Sequence, residues 1–267
     1  MKNKIFDCIT FFRENLITNL RFDILNDYVD YFIVCESLYD HRGNKKKINF
    51  KIDNKKLKEK IIHIVIKEKF NTTDPWKAQA LQREYIFNGI KNADDNDYIM
   101  FSDPDEIPNP KILVNFQLKK KYGIFMQKHY VYKFNLYNNY DSPWEGTRIC
   151  KFGNLTSIDY LRQKVLSKNL KKWWRPDKEK NIELINNGGW HFKDIFTPEE
   201  LSLKLKTFAH KEFEPDKFSS VEIIKEQISL KRDLYNKNQI FSKVELNDEF
   251  PKYILNNRDK FNEFLEK

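Results

Sequence analysis

The stretch Tyr98-Ile-Met-Phe-Ser-Asp-Pro-Asp-Glu-Ile-Pro108 drives an uninterrupted apolar run into three carboxylates, Asp103, Asp105 and Glu106. Its first half predicts a strand buried on both faces, where no polar alternation is needed. In an open α/β sheet ligands collect outside the carboxyl ends of the strands. Carboxylates one residue apart can there share a hard divalent cation with a phosphate-bearing ligand. The same residues also fit a polar turn, Asp103-Pro104-Asp105, capping a helix at Pro108 or Pro110. Both remain open on this stretch alone, because short acidic motifs recur by chance.

Working toward the N-terminus, residues 5–12 predict a first strand, and Leu16, Ile17, Leu20, Ile24 and Tyr28 fall on one face of a following helix. Residues 31–35 form a second apolar run closing on Glu36-Ser37, and residues 60–66 a third. Asp74-Pro75 opens a helix with proline at its first position, running to about residue 92. The order β-α-β-β-α-β predicts an α/β fold with a mostly parallel central sheet covered on both faces. In the second helix Trp76, Ala80, Phe87 and Ile90 mark the buried stripe, with Arg83 at its centre. Arginine cannot shed its proton, so burial there demands an anion. The acidic strand end or a bound diphosphate would serve, unless Arg83 snorkels to the helix edge. Glu36 would share a rim with Asp103 if both strands are parallel, either accepting hydrogen bonds from a base or ribose or capping its own turn.

Beyond Pro110 the pattern loosens. Residues 124–134 mix Gln127, Lys128 and His129 with apolar side chains and predict later, partly antiparallel strands, as do residues 147–152. Residues 161–187 read as loop with short elements. Thr197-Pro198-Glu199-Glu200 is a capping box opening a helix with the stripe Leu201, Leu205 and Phe208. Residues 219–267 read as helical, which predicts one large α/β domain over residues 1–212 and a helical extension over 213–267. Asn187-Gly188-Gly189-Trp190-His191 combines glycines that let backbone approach a ligand with an imidazole able to complete a metal site. A lone histidine among aromatics is more often a satisfied core residue, and His210 is open to the same two readings. Trp173-Trp174 offer either a sugar platform or an interface filler.

Composition narrows the classes. A charged fraction of 33% with 15% aromatics describes a globular chain. With only 7 glycines there is no G-x-G-x-x-G or P-loop, so phosphate must be held by metal and side chains, which disfavours kinases, simple NTPases and dehydrogenases. The net charge of +9 attracts anionic partners, but no helix-turn-helix, finger or RNP signature points to nucleic acid. Cys8, Cys35 and Cys150 lack C-x-x-C spacing and read as core residues in a reducing compartment. The N-terminus turns polar too early for a signal peptide, and no apolar run is long enough to span a bilayer. A cytoplasmic protein is expected, its basic surface suited to peripheral contact with anionic membrane.

The ordered set Phe6-Asp7-Cys8 with Phe11-Phe12 and Glu14, Val29 to Ser37, Gln82-Arg83, Phe101 to Pro108, Gly188-Gly-Trp-His191 and Phe208-Ala-His210 resembles family 17 of the glycosyltransferases. That family includes the bisecting β-1,4-mannosyl-glycoprotein β-1,4-N-acetylglucosaminyltransferase. The resemblance covers residues 5 to 212. It implies a GT-A-type, Rossmann-like fold, a nucleotide-sugar donor such as UDP-N-acetylglucosamine, a divalent cation (Mn²⁺ or Mg²⁺) and inversion at the anomeric carbon. On this resemblance Asp103 and Asp105 take the D-x-D role, the first near the ribose and the second on the metal, and Glu106 orders the turn. Arg83 would steady the acidic cluster or the diphosphate, and Glu36 would meet the uracil or ribose. An inverting displacement also needs a base near the acceptor hydroxyl, with Asp194 and Glu145 as candidates. The chain departs from the animal members in lacking an anchor and a secretory signal, so the expected acceptor is a surface polysaccharide, lipopolysaccharide or other glycolipid rather than a Golgi glycan. The competing expectations are a sugar-phosphate nucleotidyltransferase or metal-dependent phosphohydrolase, and a non-catalytic glycan-binding protein.

Overall fold

A computed structural model describes residues 3–207, 218–235 and 238–267. The chain forms two compact units, residues 1–127 with 145–190, and residues 128–144 with 191–267.

The first unit begins with β1 (Ile5–Phe11), α1 (Asn15–Leu25), β2 (Tyr31–Ser37), β3 (Ile61–Ile66), α2 (Pro75–Glu84) and β4 (Tyr98–Ser102). These strands lie in the order β3-β2-β1-β4, all parallel. The acidic turn leads into β5 (Glu106–Pro108), α3 (Pro110–Leu113) and β6 (Tyr122–Val131). After β7 (Leu136–Tyr137) come β8 (Trp144–Lys151), α4 (Ile158–Gln163), β9 (Ile182–Ile185) and β10 (Gly189–Lys193). β8 is antiparallel to β4, with Phe101 opposite Arg148, and β9 is parallel to β6, with Tyr122 opposite Ile182. This is the mixed α/β, mostly parallel, Rossmann-like arrangement expected of a GT-A-type fold.

Strand alternation decides which helix lies where. Phe6, Cys8, Ile33, Cys35, Ile99 and Phe101 pack with Ala78, Ile86 and Ile90 of the α2 region and with Ile158 and Leu161. Residues between them point to α1, where Phe22 meets Phe32 at 4.6 Å and Arg21 reaches Asp7 and Ser102. Each fully buried Phe, Ile or Leu contributes roughly 1.5–3 kcal/mol, so both faces hold the strand ends firmly. All three cysteines are free and buried, and burial pushes the Cys35 and Cys150 thiols up to about 12.

The stripe on α2 is rotated from the predicted one. Trp76 is 49% exposed, whereas Ala78, Gln82 and Arg83 are buried. Gln82 causes the rotation: its amide donates to the Cys35 carbonyl at 2.9 Å, and the Cys35 thiol donates to the Gln82 carbonyl at 3.4 Å. The α-helix ends at Glu84 and a 3₁₀ turn, Tyr85–Gly89, follows in place of a helix to residue 92.

In the second unit α5 (Pro198–Thr207), α6 (Val221–Ser229), β11 (Ser242–Lys243) and α7 (Lys252–Asn256) follow β10. The predicted capping box is present: the Glu200 amide donates to Thr197 Oγ1 at 3.2 Å and the Thr197 amide to Glu200 Oε2 at 3.0 Å. Leu201 is buried as expected, while Phe208, Ala209 and His210 lie outside the described residues. The C-terminal part is not simply helical, since β11 pairs antiparallel with β7. Residue 212, the expected boundary, lies outside the described residues. Val131, Tyr132 and Leu136 share one core with Leu201, Ile224, Leu234 and Phe241, which ties residues 128–144 to the C-terminal part. Among the described residues no helix is long and apolar enough to cross a membrane.

Candidate active site

β1 is flanked by β2 on one side and β4 on the other, so the sheet grows in both directions from it. Between β1 and β4 lies the switch point where open α/β sheets bind ligands beyond the strand ends, and the acidic turn starts there. The turn is closed by the Glu106 amide donating to the Asp103 carbonyl at 3.1 Å and the Asp103 amide donating to Glu106 Oε2 at 3.3 Å. Glu106 thus orders the turn with its side chain.

Two arginines grip this turn from behind, and a third, Arg148, holds the neighbouring Glu145–Gly146 backbone. Arg21 of α1 makes a two-pronged contact with Asp7 at 2.7 and 2.6 Å, donates to Ser102 Oγ at 2.7 Å and reaches the Glu106 carbonyl at 2.7 Å. Both charged side chains of the Arg21–Asp7 pair are fully buried. Arg162 of α4 donates to Asp103 Oδ2 at 2.7 Å and to the two Glu106 oxygens at 2.8 and 3.0 Å. Burial works against its charge, but Asp103, Glu106 and Asp105 outweigh that and hold its pKa above the ordinary arginine value. Arg148 of β8, buried, donates to the Glu145 and Gly146 carbonyls and to Glu145 Oε2 at 3.3 Å. Burial and the Arg162 charge bring its pKa down to about 10, against the pull of Glu106, Glu145 and Asp103. It remains a cation at neutral pH. The Glu106 side chain is sealed, whereas that of Asp103 is 38% exposed and Asp105 is half-buried. The Asp103 side chain is thus partly open to solvent on a turn whose back is fixed by Arg21 and Arg162.

Arg83 is buried, as its place on the helix wheel predicts, but its anion is not the strand-end cluster. Its guanidinium donates to Asp159 Oδ1 at 2.7 Å and to Gln79 Oε1 at 3.0 Å, and lies over the Phe101 ring at 5.8 Å. Glu84 accepts the Asp159 amide at 2.8 Å. Arg83 and Glu84 thus fix the first turn of α4, and Arg162 follows one turn later on the same helix face. The expectation of loop with short elements over residues 161–187 gives Arg162 no role. A signal was present: Ser157 caps α4 by accepting the Tyr160 amide at 3.0 Å, with Asp159 in the first turn.

Glu36 closes β2 opposite Phe11, yet it is filled by its own chain. Its oxygens accept Lys46 Nζ at 2.6 Å, the Asn49 and Phe50 amides at 2.7 and 3.1 Å, and His63 Nε2 lies at 3.4 Å. Burial pushes its carboxyl upward, but His63, Lys46 and the Asn49 amide together hold it below the ordinary 4.5. The loop it holds is stitched to α1 by Asn15 and Asn19, whose amides donate to the Asn49 and Lys51 carbonyls at 2.8 and 3.0 Å. Glu36 is the turn-capping carboxylate of the two alternatives.

Glu145 lies in the first unit with the acidic turn. It accepts the Ser167 amide at 3.1 Å and the Ser167 hydroxyl, and its charge acts on Arg148 together with those of Glu106 and Asp103. The glycine pair has a structural task in the same unit. A Cβ on Gly188 would meet the Met126 amide nitrogen at 2.6 Å, and one on Gly189, at φ 125°, would meet the Ile107 carbonyl at 2.2 Å. The close approach they permit is to β5 and β6, and it anchors the exit of the acidic turn.

In the second unit His191 stacks on His129 at 4.4 Å and on Trp144 at 4.7 Å. Burial first, then the neighbouring charges of His191 and Lys193, lower the His129 pKa to about 2, so His129 is neutral. Among the described residues no group of three His, Cys, Asp or Glu side chains is arranged to hold a metal ion. Asp194, at φ 56°, accepts Lys204 Nζ at 2.9 Å. Burial raises its pKa, but Lys204, Lys193 and His191 hold it below the ordinary carboxylate range.

Two solved structures show distant likeness. A 4-diphosphocytidyl-2C-methyl-D-erythritol synthase aligns with 13% identity and a TM-score of 0.36, covering 69% of this chain and 90% of its own. A glycosyltransferase involved in the glycosylation of the major capsid of PBCV-1 aligns with 11% identity and a TM-score of 0.29, covering 68% of this chain and 81% of its own. No curated protein matches the chain. The segments around the acidic turn, read with the match of residues 1–266 to the model of glycosyltransferase family 17, place the chain in that family.

Proposed function

We propose that this family 17 glycosyltransferase moves a sugar, with inversion, from a nucleotide-sugar donor to a glycan or glycolipid acceptor, its donor diphosphate lying against the Asp103–Glu106 turn. One observation carries the reading. At the switch point of the sheet, the half-buried Asp105 and the partly exposed Asp103 stand on a turn that Arg21 and Arg162 fix from behind. Groups held in place before the reaction stabilise developing charge without reorganising.

The donor set at the turn consists of carboxylate oxygens one residue apart, with no third His, Cys, Asp or Glu converging on them among the described residues. That set fits a hard cation that keeps its waters and arrives on a diphosphate, and does not fit a resident protein cage. Asp105 and the exposed side of Asp103 would hold it, and it would supply Lewis-acid neutralisation of the departing diphosphate. Arg162 keeps Asp103 and Glu106 in place and adds a permanent positive charge behind them. The acceptor hydroxyl oxygen bonds to the anomeric carbon as the carbon–oxygen bond to the diphosphate breaks, and the hydroxyl proton passes to a carboxylate. Glu145 is the base we favour, because it lies in the same unit as the turn, held by Arg148 and Ser167. UDP-N-acetylglucosamine is the first donor to try, on the family resemblance.

Calorimetric titration with UDP-sugars, with and without Mn²⁺, tests the reading. Binding to the intact chain should strengthen with Mn²⁺, and Asp105→Asn should lose that gain while melting like the parent. Donor binding indifferent to Mn²⁺, or undiminished in Asp105→Asn, overturns the assignment. Pyrophosphate release from an NTP and a sugar phosphate would replace it with nucleotidyl transfer.

A further inference from the structure

We propose that residues 168–180 of the first unit are a docking loop for an anionic bilayer surface. Trp173 and Trp174 are 81% and 60% exposed. Exposed large aromatic patches mark interaction surfaces. The loop beneath them is built, not slack. Asn169 is buried and donates to the Lys164 carbonyl at 2.7 Å, and Leu170 packs against the main core. The Arg175 amide donates to the Lys172 carbonyl at 3.0 Å and the Lys178 amide to the Arg175 carbonyl at 3.2 Å. Lys180 Nζ then ties the Trp173 and Arg175 carbonyls at 3.1 and 2.7 Å. The fold thus spends its hydrogen bonds on the loop backbone while leaving both indoles in water.

Charge selects the partner. Six cations, Lys168, Lys171, Lys172, Arg175, Lys178 and Lys180, surround the tryptophans against two carboxylates, Asp177 and Glu179. Arg175 and Lys178 engage Asp177 at 2.8 and 3.2 Å, but Lys168, Lys171 and Lys172 make no ion pair among the described residues. Clustered cations bind anionic headgroups, and tryptophan favours the interface between headgroup and acyl chain. The two rings cross at 88° with centroids 6.1 Å apart. They share no flat face on which one pyranose could stack, whereas indoles settle at the headgroup level of a bilayer. A second copy of this chain docking through the same loop would bring like charges together.

Co-sedimentation of the full chain with vesicles of phosphatidylcholine, pure or mixed with phosphatidylglycerol, tests this. The parent should bind the mixed vesicles with a blue shift of indole emission, and should release as salt rises. Trp173→Ala/Trp174→Ala should bind about tenfold more weakly, with unchanged melting and unchanged turnover of a soluble donor. Equal binding by the double variant, or equal binding of the parent to uncharged vesicles, overturns the proposal. So does a parent that self-associates in sedimentation velocity and stops doing so in the double variant, since that result assigns the loop to a protein interface.

Discussion

Two carboxylate positions close the parallel strands on either side of β1, and they have opposite fates. Glu36, after β2, is 0% exposed and is consumed by Lys46, His63 and two backbone amides of its own loop. The turn after β4 is gripped from behind by Arg21 and Arg162, while Asp103 keeps a side chain 38% exposed and Asp105 is half-buried. Both positions satisfy the rule that ligands gather at strand ends, so the rule alone does not find a site. What separates them is where the compensating positive charge comes from. A carboxylate saturated by backbone and lysine is a fastener. One backed by a guanidinium would, on the proposed function, still have an outer side to offer a ligand.

Arg162→Gln should break this contrast most severely. It removes the cation that positions Asp103 and Glu106, and loss of a preorganised charge contact costs about 10²–10³ in turnover. Measured as kcat/KM on chains shown to be folded by circular dichroism, that loss should exceed by far the loss in Glu36→Gln. Comparable activity losses in the two variants would show that the two strand ends do not differ in function.

Glu36→Gln should instead strike stability. Removing one partner of a buried charge pair costs about 3–5 kcal/mol, and at about 2–4 °C per kcal/mol for a chain of this size the melting temperature should fall by roughly 6–20 °C. The pH dependence has a definite sign. Because the folded state holds Glu36 below its ordinary 4.5, its stabilisation is fully present above that value and fades as pH falls through the lowered one. The parent should lose stability on acidification in that window, and the variant should show a shallower acid limb. Identical acid limbs would remove Glu36 from the linkage.

The sequence made the frame legible because its strands are apolar runs with few interruptions and its acidic turn is local. Arg83 shows where legibility stops. Its burial follows from its place on α2, but its partner Asp159 lies 76 residues away, and no local pattern selects one distant carboxylate over another. Arg21 and Arg162 were invisible for the same reason, each belonging to a different element brought to the turn by folding. The glycine pair misled differently, since a requirement for close approach does not say whether ligand or backbone approaches. The second unit escaped because its core joins residues 128–144 to residues beyond 190, a pairing that periodicity does not encode.

Asp194→Asn carries the smallest expected effect and tests whether a third carboxylate belongs with Glu36 or with the acidic turn. Asparagine tolerates the left-handed backbone at φ 56°, so the substitution adds no strain and isolates the charge. If Asp194 serves only as the partner of Lys204, stability should drop by about 1 kcal/mol or less, as for a partly exposed pair, and turnover should stay near the parent value. A general base would instead take about 10²–10⁴ of the rate with it. Lys204, Lys193 and His191 lower the Asp194 pKa, which weakens it as a proton acceptor. Glu145→Gln supplies the matched measurement, because its carboxylate lies in the same unit as the turn, held by Arg148 and Ser167. A large rate loss in Asp194→Asn with little in Glu145→Gln would move the base into the second unit.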